Sequence, residues 1–245
     1  MKKLIAILMV LAMLLMTAAC GNGNNGDTGN NGTGDHSQEN VDNNQSGDDT
    51  TEEQGGHESS GKITVDTVSN APETDASEFD YWEVDGGVAI TDYFGEAAIV
   101  VIPEQINGMD VVTIDEGAFS NNKTIKGLKI ADTVKVVEEK AFINCRELLV
   151  VVCGASVKEI DDYAFNGCEK LDTMILNDGI EVLDQCFTLT NITEIEIPAS
   201  VTEMEFPFVP NDKNHYVTII SEAGSYVEQY VNEHGEDYQW IFQAK

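Results

Sequence analysis

From residue 115 onward the apolar positions of the chain recur with a period close to 23 residues. An aromatic pair opens each unit: Ala118-Phe119, Ala141-Phe142, Ala164-Phe165, Cys186-Phe187 and a degenerate Pro207-Phe208, with phenylalanine spacings of 23, 23, 22 and 21. Other columns keep step. Ile125, Leu148, Leu171 and Ile192 correspond, as do Leu128, Val151, Met174 and Ile195, and Ile130, Cys153, Leu176 and Ile197. Val134, Val157, Ile180 and Val201 form a further column, and Val137, Ile160, Leu183 and Met204 another. Residues 127–131 and 173–177 are short, β-prone and alternating, which predicts one strand per unit with one face turned inward. The stretch Asp115-Glu116-Gly117-Ala118-Phe119 opens on a good N-cap residue and predicts a short helical turn. A unit this small cannot enclose a core alone, so stacked neighbours must, and the expectation is a repeat solenoid of about five coils.

An open solenoid needs caps. Residues 81–84, Asp85-Gly86 and residues 87–90 read as a β-hairpin with a tight turn. At the other end Ala223, Tyr226, Val227, Tyr230 and Val231 follow helical spacing, predicting an amphipathic helix stopped at Gly235, with a final strand over 238–242. The repeats fall at about 98–114, 115–137, 138–160, 161–183 and 184–204, followed by a terminal unit over 205–245.

The stretches Ile160-Asp-Asp-Tyr-Ala-Phe-Asn-Gly-Cys-Glu-Lys-Leu171 and Ile195-Glu-Ile-Pro-Ala-Ser-Val201 resemble the BspA-type leucine-rich repeat of bacterial surface proteins. Residues 88–95 and 101–108 are similar to the first repeat of that family, and residues 217–227 to its terminal unit. The resemblance covers residues 79–242 and implies a leucine-rich-repeat solenoid used for surface display, adhesion and protein binding. Asp115, Glu138, Asp161, Asp184 and Glu205 depart from the family, which often has glycine there.

The N-terminus carries a different pattern. Lys2 and Lys3 precede an unbroken apolar run over residues 4–16, then Thr17-Ala18-Ala19-Cys20-Gly21. A basic start, a short apolar core and small residues read as a signal peptide over 1–19, too short for a spanning helix. The Thr-Ala-Ala-Cys-Gly stretch resembles a bacterial lipobox, although Thr17 stands where leucine is most frequent. That resemblance implies lipidation (palmitate-type acylation) of Cys20 and an extracytoplasmic, membrane-anchored protein. Residues 21–60 hold a single aliphatic residue, Val41. Such a composition cannot offset chain entropy by burial, so residues 20–77 are expected to form a disordered tether, leaving a module over 78–245. His36 and His57 lie in it without ligand-like partners.

Charge narrows the function. The chain carries 44 acidic and 13 basic residues, a net −31. Residues 78–245 alone hold 32 acids against 10 bases. This sign argues against nucleic acid and against lying on anionic lipid, so membrane contact is expected through the lipid anchor only. No Gly-x-Ser-x-Gly, Cys-x-x-Cys, His-x-x-x-His or phosphate-cradling loop occurs, and the expectation is a protein that is not an enzyme and needs no cofactor. His215 and His234 read as exposed loop and helix-end residues. Cys153 and Cys186 fill core columns. Cys145 and Cys168 share a column one coil apart, where parallel side-chain vectors favour packed thiols over a disulfide.

Two features remain as candidate chemistry. Along the outward side of the strands, Val101, Val150, Val152, Thr173 and Ile175 grade into Glu194 and Glu196. Such a face reads either as a binding surface or as plain β-propensity on a small sheet. The column Asp115, Glu138, Asp161, Asp184 and Glu205 reads as caps of the short helical turns, or as a weak candidate for Ca²⁺ or a lysine-rich partner. Together these features predict a monomeric, non-catalytic cell-surface lipoprotein whose repeat module binds a protein of a host or neighbouring cell. Glycan binding and a purely structural envelope role are the alternatives; the strand face lacks Trp and Tyr, with Trp82 and Trp240 in the caps.

Overall fold

Each repeat closes as one coil bearing two short strands, and the coils stack in register. The computed structural model describes residues 62–209 and 214–245. The signal-peptide segment, Cys20, His36, His57 and the tether up to residue 61 lie outside the described residues. The chain enters through the antiparallel hairpin β1 (Phe79–Val84) and β2 (Gly87–Tyr93), turning at Asp85-Gly86 as the pattern predicts. Gly86 takes φ +87°, a conformation glycine adopts without steric cost. The coils follow as β3 (Ile99–Val101), β4 (Gln105–Ile106) and β5 (Met109–Ile114); β6 (Gly127–Lys129) and β7 (Val136–Val137); β8 (Val150–Val152) and β9 (Glu159–Ile160). Then come β10 (Thr173–Ile175) and β11 (Val182–Asp184), and β12 (Glu194–Glu196) and β13 (Glu203–Glu205). A terminal unit of β14 (Val217–Ser221), helix α2 (Tyr226–Tyr238) and β15 (Trp240–Ala244) closes the stack.

The strands assemble into two flanks. One sheet runs β1-β2-β5-β7-β9-β11-β13, with β4 on β5. The opposite flank is interrupted: a sheet β3-β6-β8-β10 stops, and a separate sheet β12-β14-β15 begins. Between the flanks lie the predicted columns. Phe119, Phe142, Phe165, Phe187 and Phe208 stack with ring centroids 4.6, 5.0, 5.9 and 5.2 Å apart, and Tyr93 extends the stack at 5.3 Å. Leu128, Val151 and Met174 are buried beside them. Offset stacking adds to the burial energy that holds neighbouring coils together.

Four expectations need correction. The second strand of each coil was not legible, because segments of two or three residues are too short to show alternation. The acidic turns are not helical. One residue of each turn adopts positive φ, the third in the first three turns (Gly117 +69°, Lys140 +59°, Tyr163 +60°) and the second in the last two (Gln185 +40°, Phe206 +42°), which breaks a helical run. The phenylalanine amides that follow are engaged by the next coil, as in Phe119 N–H to Ala141 O at 2.8 Å and Phe142 N–H to Ala164 O at 2.8 Å. Gly235 does not stop the C-terminal helix. It lies buried inside α2 where a Cβ would come within 2.8 Å of Trp240 O, and the helix ends at Gln239 with φ +59°.

The fourth correction concerns the tether. Its last residues are ordered against the module, which therefore starts before residue 78. Helix α1 (Val65–Ser69) is opened by a capping box between Thr64 and Thr67, and Val68 is fully buried. Further on, Thr74 N–H donates to Val101 O at 3.0 Å while Thr74 Oγ1 accepts from Val101 N–H at 3.0 Å. A 3-10 turn over Ala76–Glu78 then leads into β1. The two valines, Ile63 and the two threonines supply apolar area and a cap that the preceding polar run lacks.

Candidate binding face

The outward residues of the interrupted flank form two rows, set by the strand register. One row aligns Ile99, Gly127, Val150 and Thr173; the other aligns Val101, Lys129, Val152 and Ile175. Glu194 and Glu196 hold the equivalent outward positions of β12, beside Thr218 and Ile220 of β14.

The segment 62–77 divides this face. Helix α1 packs against β3, β6 and β8. Gly127 is its seat: a Cβ there would meet Val68 Cγ2 at 2.5 Å and Ile63 Cγ2 at 3.2 Å. Beneath this strap Val101 and Val150 are 4 % and 3 % exposed. The expectation that they point to solvent is thus corrected; they are outward of the solenoid but roofed by the chain's own N-terminal segment. Val152 is half-buried, Thr173 is half-buried, and Ile175 is 42 % exposed, with Glu194 and Glu196 exposed beside it. The open part of the face is therefore its downstream half.

That half contains the interruption. β10 and β12 do not pair. In the two preceding coils the approach to the strand is tied 23 residues back, by Leu149 N–H to Lys126 O and Asp172 N–H to Leu149 O. Here Asn191 N–H reaches Leu171 O, only 20 residues back, and the two strands that follow form no ladder. A groove of about 460 Å³ opens, walled by Thr173, Ile175, Asp178, Glu194 and Glu196. Lys245 pairs with Glu196 at its margin.

The acidic column stacks as predicted by period. Its main-chain carbonyls, not its carboxylates, serve the turns: Ala118, Ala141 and Ala164 N–H donate to the carbonyls of Asp115, Glu138 and Asp161 at 3.2 Å each. Asp161 Oδ1 also accepts from Asp162 N–H at 2.8 Å. The helix-cap reading is corrected accordingly, since the turns are not helices. Asp184 lies opposite Glu205 in the β11–β13 register, and its buried Oδ1 has no hydrogen-bond partner. Burial, then the carboxylates of Asp162, Glu203 and Glu205, push its carboxyl up to about 7. Burial and the neighbouring Asp161 and Asp115 likewise raise Glu138. Among the described residues no three His, Cys, Asp or Glu side chains are grouped to hold a metal ion.

The remaining candidates are structural. Cys145 and Cys168 are buried free thiols that donate to the carbonyls of Phe119 at 3.1 Å and Phe142 at 3.2 Å. His215 and His234 are packed rather than exposed: His215 Nε2 is 2.8 Å from Ile192 O, and His234 lies 4.5 Å from the Tyr230 ring. Trp240 is buried and donates to Phe208 O at 3.0 Å, whereas Trp82 is exposed on the hairpin. No helix among the described residues is long and apolar enough to cross a membrane.

Sequence reasoning missed the strap and the interruption, though each leaves a trace. Ile63, Val65 and Val68 return apolar residues to the chain after the polar run, and Gly127 is a gap in an otherwise side-chain-bearing row. The interruption coincides with the drop in phenylalanine spacing from 23 to 22 and 21.

Comparison with known proteins bears on the scaffold. No curated protein matches the chain in sequence. Among solved structures, a leucine-rich-repeat protein of T. pallidum is similar over 61 % of this chain and 71 % of its own, at 24 % identity and TM-score 0.56, a likeness of fold. A leucine-rich cell surface protein of Faecalibacterium prausnitzii matches 62 % of this chain and 55 % of its own (26 % identity, TM-score 0.36). A leucine-rich-repeat protein of Bacteroides capillosus matches 59 % and 93 % (24 % identity, TM-score 0.42). Residues 100–214 match the BspA type leucine-rich-repeat region in six copies. With its stacked coils, phenylalanine ladder and parallel strands, this part of the chain is a BspA-type leucine-rich-repeat solenoid.

Proposed function

We propose that the chain is a non-catalytic cell-surface lipoprotein that presents its repeat solenoid for protein binding, held to the membrane through Cys20 and the polar segment that follows. A repeat module of this family is a protein-binding scaffold. The observation that carries the reading is the open downstream half of the strand face, where Ile175 stands 42 % exposed among Thr173, Glu194 and Glu196. Exposed apolar residues ringed by polar ones mark interaction sites, and solenoids bind along their strand faces. The anchor rests on the Thr17 to Gly21 pattern and the apolar run before it.

The deciding experiment is capture. The immobilised full chain is exposed to surface proteins of host or neighbouring cells, beside a Val152→Ser/Ile175→Ser variant with the same melting temperature. Capture that disappears with the variant supports the reading; capture that is unaltered assigns these residues to β-propensity alone. Mass spectrometry that finds Cys20 unmodified would remove the lipid anchor from the proposal.

A further inference from the structure

We infer that the interruption between β10 and β12 is a docking site for an extended basic polypeptide segment, an arginine or lysine of which enters the break. This rests on the downstream half of the strand face being the binding surface, and adds what kind of partner it takes.

The first argument is the main chain. In a parallel sheet, successive residues send their N–H and C=O to alternate sides. Thr173 and Ile175 bond toward β8, as the bonds Thr173 N–H to Leu149 O and Cys153 N–H to Ile175 O show. The peptide groups of Met174 are therefore aimed at β12. Thr193 and Ile197 bond toward β14, through Thr218 N–H to Thr193 O and Ile197 N–H to Ile220 O. Those of Glu194 and Glu196 are thereby aimed back at β10. The two strands share no ladder, so two edges face one another across an open groove. Unpaired strand edges are templates for another chain's polar groups.

Charge decides which chain. Asp172, Asp178, Glu194 and Glu196 line the groove, and no basic residue does. Its apolar wall, Ile175 and Ile220, suits the aliphatic stem of a long basic side chain, while the head group meets carbonyls and carboxylates. A guanidinium offers five N–H donors and no acceptor, which matches an acceptor-rich cleft. The structure already contains one such contact, since the Lys245 ammonium sits against Glu196. The break is narrow: β10 and β12 remain neighbours in space, so a side chain, rather than a whole inserted strand, is what fits between them.

The test uses the full chain and a fluorescein-labelled peptide of alternating arginine and threonine, with a citrulline-for-arginine peptide as the uncharged isostere. Fluorescence anisotropy at physiological salt should show binding of the arginine peptide only. Glu194→Gln/Glu196→Gln should weaken it by about tenfold or more. Asp80→Asn/Asp85→Asn removes the same charge from the exposed hairpin and should leave affinity unchanged. On binding, the amide resonances of Met174, Glu194 and Glu196 should shift, as the head group donates to the carbonyls and carboxylates that line the break. Equal weakening by both variant pairs, binding of the citrulline peptide, or absence of those shifts would overturn the inference. If the peptide does not bind while the strand face still captures its protein, this inference falls and the binding-face reading stands. Peptide binding with capture indifferent to Ile175 keeps the site and removes the broader face.

Discussion

The two halves of the outer strand face are built by the same repeat yet end in opposite states. Upstream, over β3, β6 and β8, the rows are apolar except for Lys129, their hydrogen-bond ladder is continuous, and α1 roofs them with Val68 seated on Gly127. Downstream, over β10 and β12, the rows turn acidic, the ladder is broken, and nothing among the described residues covers Ile175. A solenoid shares one core along its length, so its outward rows can be spent separately. Here one half is an intramolecular interface and the other is left available. The lesson is that an apolar outward row in a repeat protein identifies a contact surface but does not say whether the partner is another molecule or the chain itself.

The comparison can be broken or sharpened in order of expected effect. Phe142→Ala removes a fully buried ring from the middle of the stack and should cost about 3–5 kcal/mol. Because both halves share that stack, denaturant unfolding should remain a single transition; separate transitions would show that the halves do not share a core. Gly127→Val places methyl groups where Val68 sits and should release the strap at a cost of about 2 kcal/mol. Amides of residues 65–74 should then exchange freely while those of β10 and β12 are unchanged. Retained protection over 65–74 would mean that Gly127 is not the seat.

Asp184→Asn gives the smallest effect and belongs to the coil that carries the broken edge. Its folded carboxyl, raised from 3.8 to about 7, holds a proton that the unfolded chain releases. The folded state is therefore favoured as pH falls from about 7 toward 4, and burdened above 7. Replacing the carboxyl by an amide should raise stability at pH 8 by about 1 kcal/mol, after discounting for solvent screening, and flatten the curve between pH 4 and 7. Thermal melts across that range check it; an unchanged slope would sink the assignment.

Much of the fold is legible because its core residues repeat. Five columns and a phenylalanine ladder specify a stack, and the hairpin and helix at the ends are signalled by Asp85-Gly86 and by the spacing of Tyr226, Val227, Tyr230 and Val231. The candidate face was legible only in part. Alternation identifies Val101 and Val150 as outward, but outward means away from the solenoid core, and whether water or another segment lies beyond is a tertiary question. The acidic turns mislead for a related reason. Asp115-Glu116-Gly117-Ala118-Phe119 reads locally as a capped helical turn, but the positive φ at the third residue and the Phe119 N–H to Ala141 O bond commit the amides to the neighbouring coil. Inter-coil bonding overrides local propensity.

By itself the sequence determines what depends on period and composition: a stacked solenoid with two caps, a polar N-terminal run, and the acidic charge of the module. Periodicity carries this information because every unit must bury the same columns against its neighbours. Only the tertiary structure decides that residues 62–77 fold back to roof half of the strand face, and that the flank breaks between β10 and β12. Both depend on contacts between residues tens of positions apart, Val68 with Gly127 and Asn191 with Leu171, whose meeting no local pattern encodes.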